Sequence, residues 1–279
     1  MKSLLFSLSL LLTLGMVRVS AHADPLDADR AALWGKDLDQ AVKAAQRLGK
    51  ARRDGALDLL LETLKLGAPT SVCQERGKCT PNLAEALVKA IGEHQSPSAL
   101  GLLEVVASHR NAKLRAEAVR AIGVLREPKI ARRVQEATRK ALADSDVQVR
   151  MAAAWVVAHR TKEKLPMPES DKLEGTLLAL LERGDTVAPT IGLAAVGGYN
   201  TARFLAVNIK KIPERTVAEI YRALLVRNDF GPDPIRQWIV ISLAGLKGQH
   251  ATEALANYAA NPPTPGLKSV AMANEFMEK

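Results

Sequence analysis

Apolar residues recur along this chain at intervals of three and four, in blocks of about 11 to 16 residues set apart by short polar or proline-marked breaks, which is the pattern of amphipathic helices. The first block, 38–49, gathers Leu38, Ala41, Val42, Ala45 and Leu48 on one face and leaves Lys36, Lys43, Arg47 and Lys50 on another. A partner helix follows over 55–66, then a polar loop over 67–80. Helix pairs are predicted at 81–94 with 97–108, 112–125 with 128–142, and 146–160 with 172–183. Their joints fall at Ser96-Pro97, Glu127-Pro128 and Pro166-Met167-Pro168, where proline cannot continue a helix interior. Beyond residue 185 the pattern loosens. Helices over 187–198, 201–210 and 214–227 form an irregular unit interrupted by Gly197-Gly198 and Pro213, and periodicity returns at 233–247 with 250–260, followed by a last helix at 266–277. No run of alternating β-branched residues bounded by turns is present.

Within the blocks one motif repeats: an aliphatic residue, then Arg, then small residues. Leu114-Arg115 is followed by Ala118, Ala121 and Gly123, Val149-Arg150 by Ala153 and Ala158, and Ile235-Arg236 by Ser242 and Ala244. The interval from Arg115 to Arg150 is the period of a helical-repeat solenoid. An aromatic content of only 4% fits helices that pack closely through Ala, Leu and Val. The small residues admit a neighbouring helix, so a large side chain at Ala121 or Ala153 should overpack the contact at a cost of about 1–3 kcal/mol. The expected architecture is all-α, a right-handed α-solenoid of stacked antiparallel helix pairs, in one domain over 24–279. Its clearest repeats lie at 81–183, with an irregular unit at 186–230 and terminal repeats at 233–279.

The segments 111–125 (NAKLRAEAVRAIGVL) and 144–159 (DSDVQVRMAAAWVVAH) resemble helices of HEAT repeats, of the short kind also found in phycobilin-lyase subunits, here in what looks like a secreted bacterial member. The resemblance is good over about 80–160 and looser elsewhere. It implies an inter-repeat ladder of an acid or amide before the first helix and an Arg within it: Asn111 with Arg115, Asp146 with Arg150 and, off by one position, Asp233 with Arg236. It also implies that the second helix of each pair lines a concave binding surface. HEAT similarity specifies a scaffold and no reaction.

Residues 1–23 have the layout of a secretory signal peptide: Lys2, an apolar run from Leu4 to Leu14, and Ala21-His22-Ala23 before the cleavage point. The run is too short to span a bilayer, so a periplasmic or secreted chain beginning at Asp24, with no stable membrane insertion, is expected. In that oxidising setting Cys73 and Cys79 read as a disulfide closing a short loop; a metal pair or a redox pair is the alternative, but further ligands are missing and the spacing is not C-x-x-C.

Charge singles out one repeat. The chain is +9, and residues 110–140 hold ten Lys or Arg against Glu117, Glu127 and Glu136. Arg126, Lys129, Arg132, Arg133, Arg139 and Lys140 are the candidate partner-binding residues, suited to an acidic protein segment or, alternatively, an anionic envelope polymer; a merely solvated face is the plain alternative. Nucleic acid is not expected, because no aromatics interleave with the patch. No HExxH, GxSxG, P-loop or complete calcium loop occurs, and Asp144-Ser145-Asp146 reads as a turn and helix cap. His94, His109 and His159 fall at predicted helix C-termini, where capping is the simplest role. The resulting expectation is a scaffold for a protein partner in the cell envelope, not an enzyme, without a cofactor or metal. A lyase-type enzyme subunit is the remote alternative that the resemblance carries.

Overall fold

The computed structural model describes residues 25–65, 82–227, 230 and 233–260. The predicted signal peptide, the Cys73–Cys79 loop and the predicted helix at 266–277 lie outside the described residues. Fourteen α-helices follow one another among the described residues: α1 Pro25–Leu33, α2 Leu38–Ala51, α3 Ala56–Lys65, α4 Asn82–Glu93, α5 Leu100–Val106, α6 Ala112–Gly123, α7 Ala131–Leu142, α8 Val147–Lys162, α9 Ser170–Glu182, α10 Val187–Val196, α11 Tyr199–Val207, α12 Glu214–Val226, α13 Asp233–Leu246 and α14 Gln249–Ala260. Single 3-10 turns at Pro97–Ala99 and Pro128–Ile130 lead into α5 and α7, each with its proline at the first position, where no amide is needed. Among the described residues no strand occurs. Periodicity did not announce α1, whose nine residues hold few apolar positions.

The helices pack as two rows. From α2 onward the even-numbered helices lie each against the next, α2 on α4 through to α12 on α14, and the odd-numbered helices cover them on one side. The molecule is an α-solenoid of HEAT-like helix pairs. Its core falls into two clusters, both of which draw on α6. Leu87, Ile91, Leu103 and Ile122 belong to the N-terminal part and Val156, Leu177, Tyr221 and Leu243 to the C-terminal part, and both parts share α6, which buries Leu114 and Ile122 in one and Ala116 and Val119 in the other.

A glycine seam draws the even row together. A Cβ at Gly49 would stand 2.8 Å from Ala90 Cα, one at Gly92 would stand 2.9 Å from Ala121 Cβ, and one at Gly123 would stand 2.7 Å from Val156 Cγ1. The sequence behind this is Ala-Ile-Gly, at 90–92 and again at 121–123. Residues two apart on a helix point to opposite sides, so the alanine meets the glycine of the preceding helix, the isoleucine enters the core and the glycine receives the next helix. The odd row has no such seam: a groove of about 1010 Å³ separates α7 from α9, and one of about 690 Å³ separates α5 from α7. The even helices are therefore the closely packed row and the odd helices the splayed one. The basic α7 belongs to the splayed row.

Candidate partner-binding face

Local capping fixes where α6, α8 and the 3-10 turn leading into α7 begin. Asn111 accepts from the amides of Lys113 (2.9 Å) and Leu114 (3.4 Å), Asp146 from that of Gln148 (2.8 Å), and Glu127 from that of Lys129 (3.3 Å). These are ordinary N-cap contacts. They correct the implied ladder: Asn111 and Asp146 cap their own helices, and the acids that join one repeat to the next are Asp144 and Asp185. Arg115 reaches forward to Asp144 and Arg150 to Asp185 (2.6 Å). Each of these arginines also donates Nη1 backward to two carbonyls of the loop before its own helix, Arg115 to His109 and Arg110, Arg150 to Asp144 and Ser145. Asp144 also accepts from the Asp146 amide. Burial would push the Asp144 carboxyl up, but the hydrogen bonds from Arg115 and the Asp146 amide, with the charges of Arg115 and Arg150, outweigh it and hold the group below its usual range. Arg236, the third arginine of the motif, donates to the Arg227 carbonyl at 2.7 Å; Asp233 opens α13 and its side chain lies outside the described residues.

The joint after α8 rests on Arg160. It is only 2% exposed and donates to the carbonyls of Gly123 (3.0 Å), Leu125 (2.9 Å) and Pro166 (3.1 Å), so one guanidinium ties the end of α6 to the loop that precedes α9. Burial pushes this group down from its ordinary value. The three histidines near helix ends differ: His94 Nε2 lies 3.1 Å from the Leu48 carbonyl in the last turn of α2, His109 Nδ1 accepts from the Asn111 amide, and His159 stacks on Trp155 with ring centroids 4.8 Å apart.

The six basic candidates do not act alike. Arg133 forks onto Glu104 of α5 (2.6 and 3.3 Å), Arg139 forks onto Glu136 (2.9 and 3.1 Å) with Lys140 4.0 Å from the same carboxylate, and Arg126 meets Glu163 at 3.3 Å. Those pairs spend the arginines' charge within the stack, and the hydrogen bonds to Glu104 and Glu136 raise Arg133 and Arg139 above their ordinary value. Among the described residues Lys129 and Arg132 have no acidic partner, and both are exposed. Arg132, Arg133 and Arg139 face Lys172 and Arg183 across the α7–α9 groove, against Glu136 and Glu169. Gln135 joins the two walls at one end by accepting from the Glu169 amide at 3.0 Å. Lys172 and Arg183 were not singled out by counting charge in 110–140, because they belong to the next repeat. Among the described residues no three His, Cys, Asp or Glu side chains converge as a metal site requires, and no helix is long and apolar enough to cross a membrane.

Residues 113–188, from α6 to the start of α10, match the model of a family described as Cnd1, non-SMC mitotic condensation complex subunit 1. No curated protein matches the sequence. Solved structures that match include human deoxyhypusine hydroxylase in complex with glycerol, at 17% identity, with 90% of this chain and 95% of that chain covered and a TM-score of 0.39. That neighbour is an enzyme, which overturns the expectation that this chain is not one: a stack of helix pairs is no mark of a protein without catalysis. A likeness at that TM-score says nothing of which chemistry this chain performs.

Proposed function

We propose that this chain is a binding scaffold for an acidic protein partner, held on the basic face formed by α7 and α9. The observation that carries the reading is an open groove lined by Arg132, Arg133, Arg139, Lys172 and Arg183 against two carboxylates, with Arg132 exposed and, among the described residues, without an acidic partner, and with exposed Lys129 in the turn that leads into α7. Such a surface attracts an acidic partner at long range and fixes its orientation on contact. The working compartment is the cell envelope, reached by cleavage after Ala23, with Cys73 and Cys79 joined there; the layout of residues 1–23 supports this. An intact mass starting at Asp24, with no alkylatable thiol, is the expected result for protein isolated from that compartment.

The test compares capture by the wild-type chain with capture by a variant carrying Lys129→Glu, Arg132→Glu and Arg183→Glu. These positions leave the pairs of Arg133 and Arg139 intact, so the variant should fold normally. A defined acidic protein held by the wild type and lost by the variant supports the reading. Retention by both places the partner on another face. Binding of anionic polymer alone, released by modest salt, favours the alternative polymer ligand, which the same charge would attract.

A further inference from the structure

Resting on that reading, we infer that the part of the partner seated between α7 and α9 is an acidic amphipathic α-helix. Both walls of the groove are helices whose backbone groups are satisfied internally. An extended segment gains much of its affinity from main-chain hydrogen bonds to a sheet edge, and none is offered here; a helix brings its own backbone already paired and needs only side-chain contacts.

The α9 wall has the relief such a helix requires. Lys172, Thr176, Ala179 and Arg183 fall three or four residues apart on one stripe, with Gly175 beside it. Among the described residues no heavy atom outside the helix's own backbone lies within 4 Å of the place a Gly175 Cβ would occupy, so none of them fills this level of the groove. Small residues in the middle let a third helix approach closely, and the cations at the two ends, Lys172, which also meets Glu169 at 3.1 Å, and Arg183, stand about 16 Å apart along the axis, roughly three turns. Arg132, on the opposite wall, and Arg183 have no acidic partner among the described residues. An occupant with carboxylates about three turns apart on one side and an apolar stripe between them would match both the charge and the small floor of Leu142, Ala143 and Ala179. A second copy of this chain is the wrong occupant for such a site, since each copy is strongly basic, +9 over the full sequence and +7 once Lys2 and Arg18 leave with residues 1–23.

The experiment titrates the full chain into two labelled synthetic peptides of about 18 residues, identical in composition, with glutamates about three turns apart and an apolar stripe between them. One is built of L-residues throughout, and the other has two central D-residues that break the helix. Inorganic polyphosphate serves as a third probe. Binding of the helical peptide at least about tenfold tighter than its broken isomer is expected, with a gain of helical circular dichroism on binding. A comparable loss is expected in Gly175→Trp, which fills the groove at an exposed position; Thr176→Trp repeats the test should the first variant unfold early. Equal affinity for the two peptides, unchanged by either tryptophan but abolished by Arg132→Glu with Arg183→Glu, would overturn the helix and leave the acidic-partner reading standing. Binding of polyphosphate alone, or of no probe, overturns both.

Discussion

Arg115 and Asp144 meet across a repeat boundary as a two-pronged pair, Nη2 to Oδ1 at 2.7 Å and Nε to Oδ2 at 2.9 Å, with each side chain about one-sixth exposed. The same arginine holds its own loop through the His109 and Arg110 carbonyls. One side chain thus fixes the start of its helix and the distance to the next. Removing the acid in Asp144→Ala strips the guanidinium of its charged partner and should destabilise the fold by about 2–3 kcal/mol, read as a fall in the denaturation midpoint with no change in slope.

The pair also has a pH signature. Asp144 is held below its usual range in the folded chain, so its contribution is fully present above the unfolded value of about 3.9 and fades as pH falls through the lower folded value. Asp144→Asn should flatten the acid limb of the stability curve; an unaltered limb would show that the pair does not carry it.

Two glycines should respond in opposite directions. Gly123→Ala places a methyl group against Val156 in the seam and should cost about 1–3 kcal/mol, while Gly175→Ala, in an exposed helix interior with nothing near the new methyl, should stabilise by about 1 kcal/mol. Thermal unfolding of both variants beside the wild type measures the contrast.

Trp155 reports on His159. Burial first, then the charges of Arg126, Arg160 and Lys162, hold this imidazole below its ordinary value against the opposing pull of Glu163. Acidification should therefore quench the emission of Trp155 with a midpoint below about 6.5, and His159→Gln should abolish the step. Because the unfolded chain takes up this proton first, His159 also costs stability as pH drops below that value.

Arg160 is the least replaceable cation. Arg160→Met would leave the Gly123, Leu125 and Pro166 carbonyls without their shared donor, at a cost of about 3 kcal/mol or more. Protease cleavage in the loop between α8 and α9 should accelerate in parallel; an unchanged cleavage rate would show that the loop does not depend on this side chain.

Periodicity and proline placed most helices within two or three residues, because each is an amphipathic segment closed by its own punctuation: 146–160 was expected and Val147–Lys162 is found. What joins the helices was less legible. Asp144 lies two residues before the cap at Asp146, and nothing local says which of two neighbouring acids faces an arginine 29 residues upstream. How closely each row packs was hidden for a similar reason, since it depends on contacts between repeats and not on either helix alone, although the repeated Ala-Ile-Gly held the clue. The basic excess of 110–140 shrank on folding, because Glu104, Glu163 and Asp144 of adjoining repeats neutralise part of it.

The glycine seam makes the even row the stiff side of the stack. Its backbones already touch at Gly49, Gly92 and Gly123 and cannot close further, whereas α7 and α9 stand apart across an open groove. Any relative motion of neighbouring repeats would therefore be a rotation about that row, opening or closing the odd side, and not a change of spacing along the seam.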